Sequence, residues 1–282
     1  MKKLTSVLLI LSGTLSMFAQ REYLPTVEDL EHFLTTKTYV VLEDSPMSEF
    51  NFEIQDVMEQ VWNITEFDYI KMSEFPEASQ NPNASFLYTS LVSFENDKTD
   101  SRYVFLHLSL GGENFTMDDL RDMVSVPLGY FGVDQDRYMY KVGVFLRFMQ
   151  NHIQLIKDNP DLISNNIFKH YNDNIKDAHT KTLYLLEEEL AKEVSTAARI
   201  KKIYPYKFRI VTMDEIKEAI LNKDENVVFL HKVGPEGKKI KARSYKIIIG
   251  AGDANFYYFD YHMINDKKPD GFLDSDFKRL AK

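Results

Sequence analysis

MSEFPEASQNPNASFLYTSLV (residues 72–92) and MDEIKEAILNKDENVVFLHKV (residues 213–233) read as two copies of one stretch. Aligned without a gap, they share six of 21 positions: Met72/Met213, Glu74/Glu215, Glu77/Glu218, Ala78/Ala219, Asn81/Asn222 and Val92/Val233. Apolar character persists at Phe75/Ile216, Phe86/Val227, Leu87/Val228 and Tyr88/Phe229. Each copy opens on an acidic helix-start pattern and closes on an apolar, aromatic run suited to a strand. One supersecondary unit used twice gives this pattern.

The likeness extends outward. FDYIK at 67–71 faces FRIVT at 208–212, and KTYVVLED at 37–44 faces KTLYLLEE at 181–188. Downstream, SRYVFLHLSLGGENF at 101–115 faces ARSYKIIIGAGDANF at 242–256, and DDLRDM at 118–123 resembles SDFKRLA at 275–281. In the first copy, Tyr39–Glu43 is an apolar strand. Ser48 caps a helix to Val61 with Phe52, Ile54, Val57, Met58 and Val61 at helical spacing. Phe67–Lys71 is a strand and Ser73–Ser79 a helix. Phe86–Phe94 and Tyr103–Leu110 form a hairpin, and Met117–Met123 starts a further helix. The second copy follows the same order, except that Lys181–Ile200 reads as helix.

The expected fold is therefore α/β with mixed sheets: two tandem related β-α-β-α-β-β-α modules, residues 37–123 and 181–282, joined by a helical connector at 124–180. Residues 20–36 form a lead-in. In the connector, Phe145, Leu146, Met149, Ile153 and Ile156 make an apolar helical stripe ended by Asn159 and Pro160. The element order resembles that of mixed-sheet modules in exported bacterial proteins. It also resembles the thioredoxin order, without that fold's cysteine pair.

Lys2 and Lys3, the short apolar run Leu4–Phe18 and small Ala19 have the order of a cleavable secretory signal, so export with a cut after Ala19 is expected. The run is shorter than a membrane span and broken by hydroxyls, so the mature chain is not expected to be an integral membrane protein. Loss of the two lysines moves the formal charge from −9 to −11, which disfavours nucleic acid. There is no cysteine, so disulfides, thiol chemistry and cysteine-ligated zinc are excluded.

Several constellations invite chemical readings. The glycines of IIIGAGDANF (247–256) lead into Phe256, Tyr257, Tyr258 and Phe259, which read as strand, so a dinucleotide turn is not expected. His170, Asp173 and Asp177, at i, i+3 and i+7 on one helix face, are the metal candidates, with His179 nearby. Phe256, Tyr258, Asp260 and His262 share one side of a strand, and Tyr258, Asp260 and His262 are the ligand-binding candidates, for a sugar or peptide. Asp134 and Asp136 carry oxygens suited to calcium but lack the rest of a calcium loop. His107 and His231 lie in strands and do not match across the repeat. No G-x-S-x-G or H-E-x-x-H motif occurs, and no cofactor is expected.

The copies share apolar and helix-surface residues rather than polar chemistry. That pattern points to an exported, non-enzymatic binding or assembly protein of the bacterial cell envelope, periplasmic or extracellular. Its partner would be an envelope protein or a glycan or peptide ligand. The alternatives are a hydrolase-like periplasmic enzyme with a site between the modules, and a glycan or peptide binder using the 256–262 strand.

Overall fold

The computed structural model describes residues 24–45, 47–94, 99–113, 121–164, 166–237 and 241–282. The expected signal segment, residues 1–19, lies outside them. The elements run α1 (Val27–Phe33), β1 (Lys37–Leu42), α2 (Glu49–Val61), β2 (Glu66–Lys71), α3 (Phe75–Ala78), β3 (Ala84–Val92), β4 (Tyr103–Leu110), β5 (Arg121–Tyr130), α4 (Asp136–Met139) and α5 (Val142–Asp158). They continue with α6 (Ile167–Asp173), α7 (Ile175–Ala178), β6 (Thr182–Leu185), α8 (Ala197–Ile203), β7 (Phe208–Ile210), α9 (Met213–Leu221), β8 (Val227–Val233), β9 (Arg243–Gly250), β10 (Phe256–Met263) and α10 (Asp274–Leu280).

The chain is mixed α/β with two five-stranded sheets. The first has order β2-β1-β3-β4-β5 and the second β7-β6-β8-β9-β10. In each, the first three strands are parallel and the last two antiparallel, so the two sheets share one topology. The 72–92/213–233 alignment also keeps faces. Phe86 and Val227 lie toward α3 and α9, while Leu87 and Val228 lie toward the helices of the opposite face.

The KTYVVLED/KTLYLLEE match is shifted by one residue, because Tyr39 stands opposite Phe86 while Thr182 stands opposite Val227. A one-residue slip exchanges the faces of a strand. Lys181–Ile200 also differs from its helical reading. Thr182–Leu185 is a strand, because Leu183 and Leu185 bury into the second sheet's core; two short 3-10 turns follow, and α-helix starts only at Ala197.

Each module carries one strand more than the expected order. Arg121–Met123, read as helix, opens β5, which runs through Tyr130 across the expected boundary with the connector. Pro127 sits in β5 because that strand is a sheet edge, where a missing N–H breaks no ladder. The connector helix fits its reading: α5 ends at Asp158 with Asn159 as its cap. Ser48 caps α2 through the N–H of Asn51, although Phe52 faces solvent while Phe50, Ile54 and Met58 fill the core.

Eleven of the 17 residues of α5 are buried, more than one stripe of a surface helix supplies. One side packs on α2 and the first sheet, with Gly143 admitting Val57 at contact distance. The other side reaches the second sheet. Phe148 stacks on Phe256 at 3.5 Å, and Phe145 lies 4.8 Å from His231. Arg147 donates to the carbonyls of Ala251 and Gly252 at 2.6 and 2.5 Å, and Asn151 to that of Asp253. His231 on β8 donates through Nε2 to the Pro127 carbonyl on β5. Both sheets therefore share one core across α5.

His152 on α5 is 9 % exposed and bonds Tyr171 at 2.6 Å. Burial, helped by nearby His170, lowers its pKa to about 4. A histidine held neutral in the fold protonates first in the unfolded chain. Its penalty is therefore absent above about pH 6.5 and grows as pH falls to about 4. Urea titrations should show about 3 kcal/mol of stability lost across that window through His152. His152→Gln should flatten the slope by that amount, and an unchanged slope would contradict the assignment.

Candidate functional site

On the face of the first sheet beyond α3, three strands bring Ser90, His107 and Asp122 together. Tyr88 of β3 stands opposite His107 of β4, and His107 opposite Ser125 of β5. Asp122 reaches this face through a β-bulge. Leu108 pairs with Val124 but Ser109 pairs with Asp122, so Met123 is skipped. The extra residue re-aims the chain and puts Asp122 beside Ser125.

The resulting geometry is a relay. His107 Nδ1 lies 2.9 Å from Asp122 Oδ2, and His107 Nε2 lies 2.9 Å from Ser90 Oγ. A carboxylate only accepts, so the imidazole proton sits on Nδ1 and Nε2 accepts from the Ser90 hydroxyl. Ser109 and Ser125 each donate to Asp122 at 2.5 Å. Burial pushes the Asp122 carboxyl up, but hydrogen bonds from His107 and the two serines outweigh it and hold it below the usual range. Tyr88 stacks on the imidazole at 4.9 Å and 14° and fixes its plane. His107 is buried, whereas Ser90 and Asp122 are half-buried.

An aromatic wall runs from this relay to the second sheet. Phe105 lies 6.0 Å from His107 and 6.0 Å from Tyr245, which lies 5.5 Å from Tyr261. The Arg243 guanidinium covers Phe94 at 3.7 Å and Tyr261 at 5.0 Å. Tyr103, fully buried, touches Tyr130 and Tyr245 and accepts from the Arg243 backbone N–H at 2.5 Å. At the same end of the first sheet, Arg102 covers Phe131 at 4.0 Å. Tyr261 and Phe131 are each 46 % exposed, so this end of the molecule presents aromatic surface to solvent.

The expected ligand-binding residues lie elsewhere. Tyr258, Asp260 and His262 do share a face of β10, but it is the face beneath α10. Tyr258 is fully buried and donates to Asp276 at 3.0 Å; Asp260 pairs with Arg279 at 2.7 Å. Burial and Asp276 push the Tyr258 hydroxyl's pKa up. His262 Nε2 donates to the Pro269 carbonyl, and burial, then Lys246, lowers its pKa. Phe256 does not join them. A bulge between Phe256 and Tyr258 turns it to the α5 side, with Ile249. Tyr261, on the opposite face, is the exposed aromatic of the strand.

Beneath the second sheet lie two buried ion pairs. Lys246 bonds Asp276 at 2.9 and 3.0 Å, and Lys232 bonds Asp270 at 2.7 Å. Ser244 also donates to Asp270, which sits where a Cβ on Gly234 would fall at 2.3 Å. A third pair, Lys141–Glu189, joins the modules, and Glu189 Oε2 has no hydrogen-bond partner among the described residues. Burial pushes the Glu189 carboxyl up against the attraction of Lys141 and Lys232. The cleft above this pair holds about 30 Å³, the room of one water, and is no substrate pocket.

His170 and Asp173 lie on α6, but the helix breaks at Asn174, and Asp177 lies on α7. Asp173 is engaged by Lys169. Asp134 and Asp136 border an open depression with Glu43 and Glu49. Among the described residues no group of three or more such side chains converges as a metal site. The glycine turn after β9 leads into β10, as read from sequence, and is clamped by Arg147. No described helix is long and apolar enough to cross a membrane.

The relay was missed in the sequence because its members stand 17 and 15 residues apart and meet only through register and a bulge. Compared with known protein families, curated proteins and solved structures, the chain matches none.

Asp276→Asn should leave the Lys246 charge buried and unpaired. It should cost about 3–5 kcal/mol in urea titration, whereas adding Lys246→Met to Asp276→Asn, which keeps an acceptor for the Tyr258 hydroxyl, should recover most of the loss. A single variant as stable as the parent would refute the buried pairing.

Proposed function

We propose that the chain is an exported, two-module binding or assembly protein that engages a protein partner through the aromatic–arginine face at the module junction. The observation that carries this reading is the continuity of Phe94, Arg243 and Tyr261 across the two sheets, with Tyr261 and Met263 exposed beside them. Tyrosine, phenylalanine, methionine and arginine are the side chains enriched at protein interfaces. A glycan platform is less well supported, since the single tryptophan, Trp62, is buried and bonded to Thr65. The export half of the reading rests on the charge, apolar run and small residue at Lys2 through Ala19. Duplication of one ancestral module is part of the same reading, supported by the matching sheet topology.

One experiment tests both halves. In cells expressing the full chain, the recovered protein should begin at Gln20. A photo-crosslinking residue at position 261 should give a discrete protein adduct that one at exposed Leu221 does not. Arg243→Ala should weaken that capture by about 30-fold, the scale of a hot-spot arginine. Equal crosslinking at both positions, or an uncut N-terminus, would contradict the reading.

A further inference from the structure

We infer that Ser90, His107 and Asp122 form a working nucleophilic site, giving the protein an acyl-transfer activity on carboxylic esters. Three observations converge on it. The hydroxyl, imidazole and carboxylate are joined in series at 2.9 Å and 2.9 Å, with the ring in the tautomer that leaves Nε2 free to take a proton. The base and its carboxylate are held in place: the ring by Tyr88 stacked on it and the carboxylate by Ser109 and Ser125. The serine itself is half-buried, with solvent access, while the histidine behind it is buried. A nucleophile at the surface with its base beneath is the order the chemistry requires.

Ser90 Oγ attacks the ester carbonyl carbon while His107 Nε2 takes the hydroxyl proton. The carbonyl π pair moves to oxygen as the new C–O bond forms. When that pair returns, the bond to the leaving alkoxide breaks, and the alkoxide takes the proton from His107 and departs as an alcohol. Water then attacks the acyl-Ser90 ester with the same base, and the carboxylic acid leaves as Ser90 regains its proton. Asp122 is a positioning residue: it fixes the ring's tautomer and faces the imidazolium. Phe105, 6.0 Å from His107 and half-buried, borders the site and suits an apolar or aryl acyl group. This activity stands independently of the partner-binding face.

The test uses the full chain and a fluorophosphonate probe, read by intact mass and by peptide mapping. One phosphonyl group should appear on the peptide containing Ser90. It should vanish in Ser90→Ala, a change at a half-buried residue that leaves the fold intact. Ser73→Ala, at an exposed serine outside the relay, should still be labelled at Ser90. With 4-nitrophenyl acetate, Asp122→Asn should lower kcat by at least about 100-fold with KM little changed, a split that a packing defect would not produce. Absence of labelling in the folded parent chain, or labelling undiminished in Ser90→Ala, would show a structural hydrogen-bond network and overturn the proposal.

Discussion

Helix α5 buries eleven of its 17 residues, so it has to be covered on two flanks, and the molecule is arranged to do this. The first sheet and α2 cover one flank; Phe256, His231 and the β9–β10 turn cover the other. A buried aromatic of this kind is worth about 1.5–3 kcal/mol, and α5 places Phe145 and Phe148 together at the junction. Neither module completes its core alone. With no disulfides available, this shared apolar layer is the main source of stability. The polar contacts at its rim, Arg147 on the turn carbonyls and His231 on the Pro127 carbonyl, set orientation.

Much of the fold was legible because it is written in local signals. Ser48 before α2, the alternation of Phe67–Lys71, the Tyr103–Leu110 strand and the Asn159–Pro160 stop each act within a few residues. What escaped was decided at long range. Leu183 and Leu185 sit among helix-forming leucines and glutamates, and only burial in the second sheet makes them a strand. β5 contains Pro127 and Gly129, which read as breakers until the strand is known to be an edge.

The sites follow the same rule more strictly. Alternation correctly put Tyr258, Asp260 and His262 on one face of a strand but could not say that α10 lies over it. His107 was visible as a strand histidine. Its carboxylate partner was not, because Asp122 joins the face only through the bulge at Ser109. A second bulge removes Phe256 from the Tyr258 face and gives it to α5. Two extra residues thus decide both which groups meet and how the modules join. The buried pairs Lys246–Asp276 and Lys232–Asp270 act in the same sense. Apolar replacements often match such pairs in stability, so their consequence here is placement: they fix α10 and the loop before it under β9.

Native-state hydrogen exchange across a urea series tests most directly whether the two sheets form one cooperative unit around α5. The slowest amides of β3 and β4 and those of β8 and β9 should converge on one opening free energy with one urea dependence. A second-sheet isotherm that stays separate, with Phe229 and Ile248 exchanging through their own lower-energy opening while the first sheet remains protected, would contradict the shared core.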